Sequence, residues 1–222
     1  MVSIDAVYQK VLAFANKEQR GYITPQEFNL YADQAQKEIF EQYFYDLNQF
    51  LRTPSNSDEY SDIIDNLQEK IAIFETSVDI TNTLPLDLFR LGSIIYNGRE
   101  VEQVQLGELA ALNASYLTRP TNVRRVYVRE RNTIEVFPGI TGEITINYVH
   151  IPRQPRWGYF IVSGKALHDV SLDKTTNFQL HPSEETELVY KILKYAGISM
   201  RRDDLASGGQ NLELSQVQQE KQ

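Results

Sequence analysis

The feature that most constrains this chain is a switch of hydrophobic period, from helical to alternating and back again. Between Pro120 and Tyr159 apolar residues recur at every second position. Val126 and Val128 alternate with Tyr127 and Arg129, and Ile134 and Val136 with Glu135 and Phe137. Ile144, Ile146 and Tyr148 fall opposite Thr145, Asn147 and Val149. Residues two apart share one face of a strand, so the stretch predicts a β-meander with one buried face. Pro152 and Pro155 end it, because neither can donate to a ladder. On either side the period is helical. The fold class expected is therefore α+β, with the strands inserted into a helical scaffold.

The helical part is well punctuated. Ile4, Val7, Tyr8, Val11, Leu12 and Ala15 place an apolar stripe on a first helix over about Ser3 to Ala15. A second helix has Thr24 as N-cap, Pro25 in the first helical position and Glu27 completing a capping box, with Ile23 and Phe28 as a hydrophobic staple. Its stripe runs through Tyr31, Ala35, Ile39, Tyr43, Leu47 and Phe50. After a turn-rich Thr53 to Asp58, a third helix carries Tyr60, Ile63, Ile64, Leu67 and Ile71. Leu84 to Leu91 reads as a turn feeding a strand, and Asn97-Gly98 as a two-residue hairpin loop. Glu108 to Asn113 reads as a short helix. Pro182-Ser183-Glu184-Glu185 opens a last helix bearing Leu188, Val189, Ile192, Leu193 and Ala196, with Arg201 and Arg202 at its end.

The expected parts are a helical segment over 1–75, an inserted antiparallel β-rich domain over 76–180, a helix over 181–204 rejoining a bundle with the first three, and an extended tail over 205–222. From Gln210 onward only Leu212, Leu214 and Val217 are apolar. Such a tail cannot bury enough surface to fold alone, so these three are expected to rest on a neighbour.

Composition narrows the chemistry. A chain of 222 residues without cysteine forms no disulfide and has no thiolate ligand or cysteine nucleophile. No apolar run reaches the roughly 18 residues of a membrane helix, and the chain is expected to be soluble and untargeted. With 30 acidic against 22 basic side chains, tight tracking of a phosphate backbone is disfavoured, although nucleic acid sliding past without sticking is compatible.

Motifs that suggest chemistry have simpler explanations. Asn16 to Glu27 aligns with a calcium loop at Gly21, Ile23 and Glu27, but Arg20 falls where an oxygen ligand is needed, and the capping box accounts for the rest. Gly158 to Lys165 has a phosphate-loop look with one residue too many and Ala166 in the hydroxyl position. His150, His168 and His181 are too scattered to argue a metal or a triad. No catalytic, cofactor or metal residue is expected, and no activity as an enzyme. Asp58, Glu59, Asp62, Asp65 and Glu69 make the third helix acidic, either as a solvated face or as a wall repelling phosphates. Arg124, Arg125, Arg129 and Arg131 form the one basic cluster, either a protected sheet edge or an inter-subunit contact. Trp157, the single tryptophan, suits either a core or an interface.

The order of elements resembles a known class. It is carried by Ala15-Asn16-Lys17-Glu18-Gln19-Arg20-Gly21-Tyr22-Ile23-Thr24-Pro25-Gln26-Glu27-Phe28-Asn29 and by Leu84-Pro85-Leu86-Asp87-Leu88-Phe89-Arg90-Leu91. Ile134-Glu135-Val136-Phe137-Pro138, Ile144 to His150 and Pro152-Arg153-Gln154-Pro155-Arg156-Trp157-Gly158-Tyr159 follow, and then Leu188-Val189-Tyr190-Lys191-Ile192-Leu193-Lys194-Tyr195-Ala196-Gly197-Ile198. Over residues 5–205 this is similar to the neck ring, or head-to-tail connector, proteins of crAss-like and related short-tailed bacteriophages. The resemblance implies a virion structural protein, made in the bacterial cytoplasm, that assembles as a ring, commonly a dodecamer. Its implied partners are the portal protein, other neck or tail proteins, and genomic DNA passing through without sequence-specific binding. It implies no cofactor, no membrane and no catalytic residue. Arg124, Arg125, Arg129, Arg131, Trp157, Leu212, Leu214 and Val217 are the expected contacts with a neighbouring subunit or the portal. The alternative is a non-viral protein–protein adaptor without catalysis.

Overall fold

The computed structural model describes residues 1–17, 23–52, 58–171, 174–199, 210–211 and 214–215. Among the described residues it is mixed α+β, with five named α-helices and largely antiparallel sheets. The chain divides into two compact units, 74–151 and the two flanking stretches 1–73 and 152–222.

The flanking stretches make a helical unit. α1 (Ile4–Lys17) buries Ile4, Val7, Tyr8, Val11 and Ala15, the stripe its spacing predicts. α2 (Pro25–Arg52) begins at the expected capping box. The Thr24 backbone N–H donates to Glu27 Oε2 at 2.9 Å, and the Glu27 N–H donates back to Thr24 Oγ1 at 3.3 Å. The bonds that the Thr24 N–H and hydroxyl donate to it hold the Glu27 carboxyl below its ordinary range. α3 (Asp58–Ala72) packs on α2 through Leu67 and Ile71. After a single 3-10 turn at Pro182–Glu184, α5 (Glu185–Ser199) packs on α1 and α2 through Leu188, Val189, Ile192, Leu193 and Ala196. Residues 18–22, the centre of the calcium-loop alignment, and Arg201 and Arg202 lie outside the described residues.

The β unit contains β1 (Glu75–Ile80), β2 (Leu88–Tyr96), β3 (Arg99–Glu100), β4 (Glu102–Gln103), α4 (Leu106–Asn113), β5 (Val126–Glu130), β6 (Thr133–Phe137) and β7 (Ile144–His150). Two sheets form, ordered β1-β7-β2-β3 and β4-β5-β6. Ile94, Ile144, Ile146 and Tyr148 of the first sheet share one core with Tyr127, Ile134 and Val136 of the second. Asn97 and Gly98, with φ of 50° and 72°, turn β2 into β3, the positive φ that a two-residue hairpin loop requires.

Three expectations change. The stretch from Val126 to His150 is not a meander: β6 pairs with β5, but β7 leaves it and lies between β1 and β2. Pro138 supplies no N–H for a further rung, and Gly142, at φ 120°, turns the chain towards the other sheet. Nor does β5 have one buried face, because Val126, Tyr127 and Val128 are all buried. Val126 and Val128 pack under Leu109 of α4, on the side of β5 away from the shared core. The β4–β5 pairing is parallel, with α4 in the crossover that such a pairing needs. Finally, the β unit ends at Ile151 rather than at residue 180. Residues 152–180 belong with the helices, for the reasons given next.

Candidate interaction surfaces

Asn29 and Gln36 lie seven apart on α2, two turns along the same side, and each grips a distant backbone. Asn29 Oδ1 accepts the Trp157 N–H at 2.7 Å, and its Nδ2 donates to the Trp157 carbonyl at 3.3 Å. The fully buried Gln36 donates to the Arg153 carbonyl at 2.8 Å and accepts the Gln179 N–H at 3.0 Å. These bonds fasten 152–180 onto the helices. The only signal in the sequence is a pair of amides flanking an apolar stripe, which has no meaning until their partners are known.

Trp157 is 2% exposed. Its ring centroid lies 4.2 Å from that of Tyr8, and its indole N–H donates to Asp5 Oδ1 at 2.9 Å. A side chain so enclosed in its own chain has no surface to offer a partner, which corrects its expected place at an interface. Tyr159 and His168 stack on the same ring, at 5.9 and 5.5 Å.

Tyr159 and His168 are the base of a hairpin, β8 (Tyr159–Val162) and β9 (Lys165–His168), joined by Ser163-Gly164. The phosphate-loop look of Gly158 to Lys165 is thus a strand and a turn. Beyond its base the hairpin is bare: Phe160, Val162 and Leu167 are 45–48% exposed and Ile161 is 69% exposed. Val170 follows, also exposed.

The basic cluster is spread out. Arg124 and Arg125 precede β5, whereas Arg129 is its last residue but one and Arg131 sits in the following turn, so the strand separates two pairs. Arg124 meets Glu102 at 3.0 Å, with both side chains mostly exposed. The Arg125 guanidinium lies over the Tyr96 ring at 4.8 Å and reaches the Pro138 carbonyl. Nearby, Tyr116, Leu117 and Val123 stand out into solvent. Of the tail residues, Leu214 is exposed, while Leu212 and Val217 lie outside the described residues.

On the acidic third helix Asp62, Asp65 and Glu69 are exposed; the side chains of Asp58 and Glu59 lie outside the described residues. Between α2, α3 and the 3-10 turn is a cavity of about 350 Å³. Ile39, Tyr43, Phe50, Ile63 and Leu67 supply its apolar wall, and Asp46, Glu69, Glu184 and Glu187 its carboxylates. Lys70 meets the buried Glu184 at 2.6 Å. Next to it, Lys191 is 1% exposed between Glu38 at 3.0 Å and Glu187 at 3.4 Å, and the Tyr195 hydroxyl also donates to Glu38. Burial pushes the Glu38 carboxyl up, but the bonds from Tyr195 and Lys191 outweigh it and leave the group below its ordinary range.

One alignment has the outline of a nucleophilic relay. His168 Nδ1 lies 3.8 Å from Asp5 Oδ1, and its Nε2 lies 3.4 Å from Thr175 Oγ1. The Thr175 hydroxyl, however, donates to the Asp169 carbonyl and accepts the Gly158 N–H. Asp5 Oδ1 already accepts the indole proton. The hydroxyl is held as a loop fastener, not poised for attack. Among the described residues no group of three or more His, Asp or Glu side chains is placed to hold a metal ion, and no helix is long and apolar enough to cross a membrane. The chain matches no protein-family model and no curated protein sequence.

Proposed function

We propose that this chain is a structural subunit of a bacteriophage neck, assembling as a ring beneath the portal and joining capsid to tail around the DNA channel. The observation that carries the reading is apolar exposure in both units. Leu117 is 95% exposed and Tyr116 stands beside it on the β unit, while the β8–β9 hairpin is bare on the helical unit. Apolar surface of this extent is a cost to a monomer and a contact to a subunit with neighbours on two sides. The resemblance in element order supports the same role, in which α1, α2, α3 and α5 form the bundle near the axis and the β unit meets a neighbour. The acidic balance suits a channel wall that DNA passes without adhering. The tail, with Leu212, Leu214 and Val217, would dock on a neighbouring subunit or the portal.

Mass determination by light scattering tests this, on the chain alone and mixed with a purified portal ring. The expected result is a discrete closed oligomer, alone or on the portal. A chain that stays monomeric in both settings at high concentration would overturn the ring and favour the adaptor.

A further inference from the structure

The ring reading leaves open which surfaces meet, and the β unit holds a cleft whose charge runs against that of the chain. Arg99 of β3 is the cross-strand partner of Tyr96 at the end of β2, and the Arg125 guanidinium lies over the same ring at 4.8 Å. The Tyr96 hydroxyl donates to the Thr141 carbonyl at 3.3 Å, which holds the ring in place. Arg99, Arg125 and the exposed Val123 line one cavity of about 270 Å³. Glu100 is the one carboxylate among the described residues around it, so positive charge is in surplus there. The two guanidiniums are tethered by uncharged acceptors. Arg99 donates to the Val123 carbonyl at 3.5 Å, and Arg125 to the Asn122 side chain at 3.5 Å and the Pro138 carbonyl at 3.4 Å. Each of these bonds uses the same terminal nitrogen of its fork, Nη1, which leaves further N–H groups to meet a carboxylate. The helical unit has the opposite pattern. Asp62, Asp65 and Glu69, spaced three and four apart, share the exposed side of α3, away from the buried Leu67 and Ile71. None of the three has an ion-pair partner among the described residues.

We propose that the Arg99–Arg125 cleft of one copy receives the exposed side of α3 of the next, with the Asp65 carboxylate between the two guanidiniums. This inference rests on the ring reading. A rise of 1.5 Å per residue puts Asp62 about 4.5 Å and Glu69 about 6 Å from Asp65 along the helix axis, so both stay at the mouth of the cleft. Charge complementarity selects the occupant: a cleft with surplus cations meets a helix side with surplus carboxylates, and a single chain carries both halves. The β unit contains no lysine, so the cations of the cleft are arginines, whose planar forks suit carboxylates at an interface. A confined cleft suits one seated carboxylate, whereas a DNA backbone carries a charge every few ångströms and needs a run of cations to follow it. Because cleft and helix are different surfaces, the contact is heterologous, the kind that closes into a ring when the rotation permits.

The absence of cysteine from the chain makes cross-linking a clean test. Val123→Cys and Asp62→Cys change exposed positions and leave Arg99, Arg125 and Asp65 in place. Mixed under mild oxidation, the two single variants are expected to give a disulfide-linked dimer containing one of each, while neither does so alone. If the unmodified chain assembles but the mixed pair does not link, α3 sits elsewhere; this proposal falls and the ring stands. If Val123→Cys links to itself as readily as to Asp62→Cys, clefts face clefts and the proposal also falls. A chain monomeric both alone and with a portal ring removes ring and contact together. In solution, Arg99→Glu and Asp65→Arg should each weaken association about tenfold or more, and the double reversal should recover most of it. Circular dichroism should show an unchanged fold in all three. Equal losses without recovery would sink the pairing. Should Arg99→Glu instead abolish retention of duplex DNA and leave assembly intact, the cleft serves nucleic acid and the proposal is wrong.

Discussion

Every polar side chain buried among the described residues, namely Gln36, Glu184, Glu187 and Lys191, belongs to the helical unit. The core of the β unit is Ile, Val, Leu, Phe and Tyr. The β unit brings apolar residues together by alternation along strands, and its sheets satisfy the backbone as they form. The helical unit must instead attach 152–180, which is largely irregular, and irregular backbone has polar groups that need partners once covered. Asn29, Gln36 and the Thr175 hydroxyl supply them. The price of that solution is that the helical unit depends on a few long-range polar contacts, each vulnerable to one substitution.

The largest effect should come from Lys191→Met, which leaves Glu187 and Glu38 facing an apolar side chain. Removing one partner of a buried ion pair typically costs about 3–5 kcal/mol. Denaturant unfolding should show a loss at the upper end of that range. Adding Glu187→Gln should recover part of it, because the stranded charge goes as well. A loss below about 1 kcal/mol, typical of exposed pairs, would mean that this network behaves like surface charge and the contrast between the units is false.

Ile146→Ala sharpens the comparison from the other side. Ile146 is fully buried in the β-unit core, and removing three carbons there should cost about 3 kcal/mol. Hydrogen exchange should show the loss of protection in β1, β2 and β7 first, and Lys191→Met should show it in α2 and α5. If either substitution lowered protection equally in both units, they would unfold as one block.

The same contrast explains what was legible in the sequence. Thr24, Pro25 and Glu27 state a helix start within four residues, and Ile144, Ile146 and Tyr148 state a buried strand face within five. Those signals are local, so they survive without knowledge of the fold. The pairing of β7 with β1 and β2 is a choice between partners of similar alternation, settled by a loop and by which core has room. Whether Trp157 is core or interface turned on Asp5, Tyr8 and Asn29, more than 120 residues away in sequence. The hairpin's exposure was equally hidden, since Tyr159 to Val162 reads like any apolar strand until its faces are assigned.

Titration should separate the units again. Glu38 is held below the ordinary carboxylate range, so its contribution is present above pH about 4 and is lost as pH falls through its folded value. Burial, and then the bond to Glu38, push the Tyr195 phenol up to about 12 from an ordinary 10. A raised group stabilises below its unfolded value, so this contribution is lost as pH rises from about 10 towards 12. Stability against pH should therefore fall on both flanks through one contact between α2 and α5. Tyr195→Phe should flatten the alkaline flank. An unchanged alkaline flank in that variant would assign it to Tyr127 and Tyr148 of the β unit, whose phenols burial also raises.

The smallest effect expected is local. Thr24→Ala removes the oxygen that accepts the Glu27 N–H at 3.3 Å and the hydroxyl that donates to Glu27 Oε2 at 2.7 Å, but leaves the Thr24 backbone N–H bonded to Glu27. Half the reciprocal arrangement survives, so the loss should be about 1 kcal/mol, within the usual range for an N-cap. Thr24→Ser keeps both hydroxyl bonds and should restore most of it. The measurement also bears on the calcium-loop alignment. If Glu27 served as a ligand, Thr24→Ala would remove one of the two bonds that hold its carboxylate and strengthen calcium binding. If it serves as a cap, calorimetry should detect no calcium binding to either protein, and only the start of α2 should lose protection.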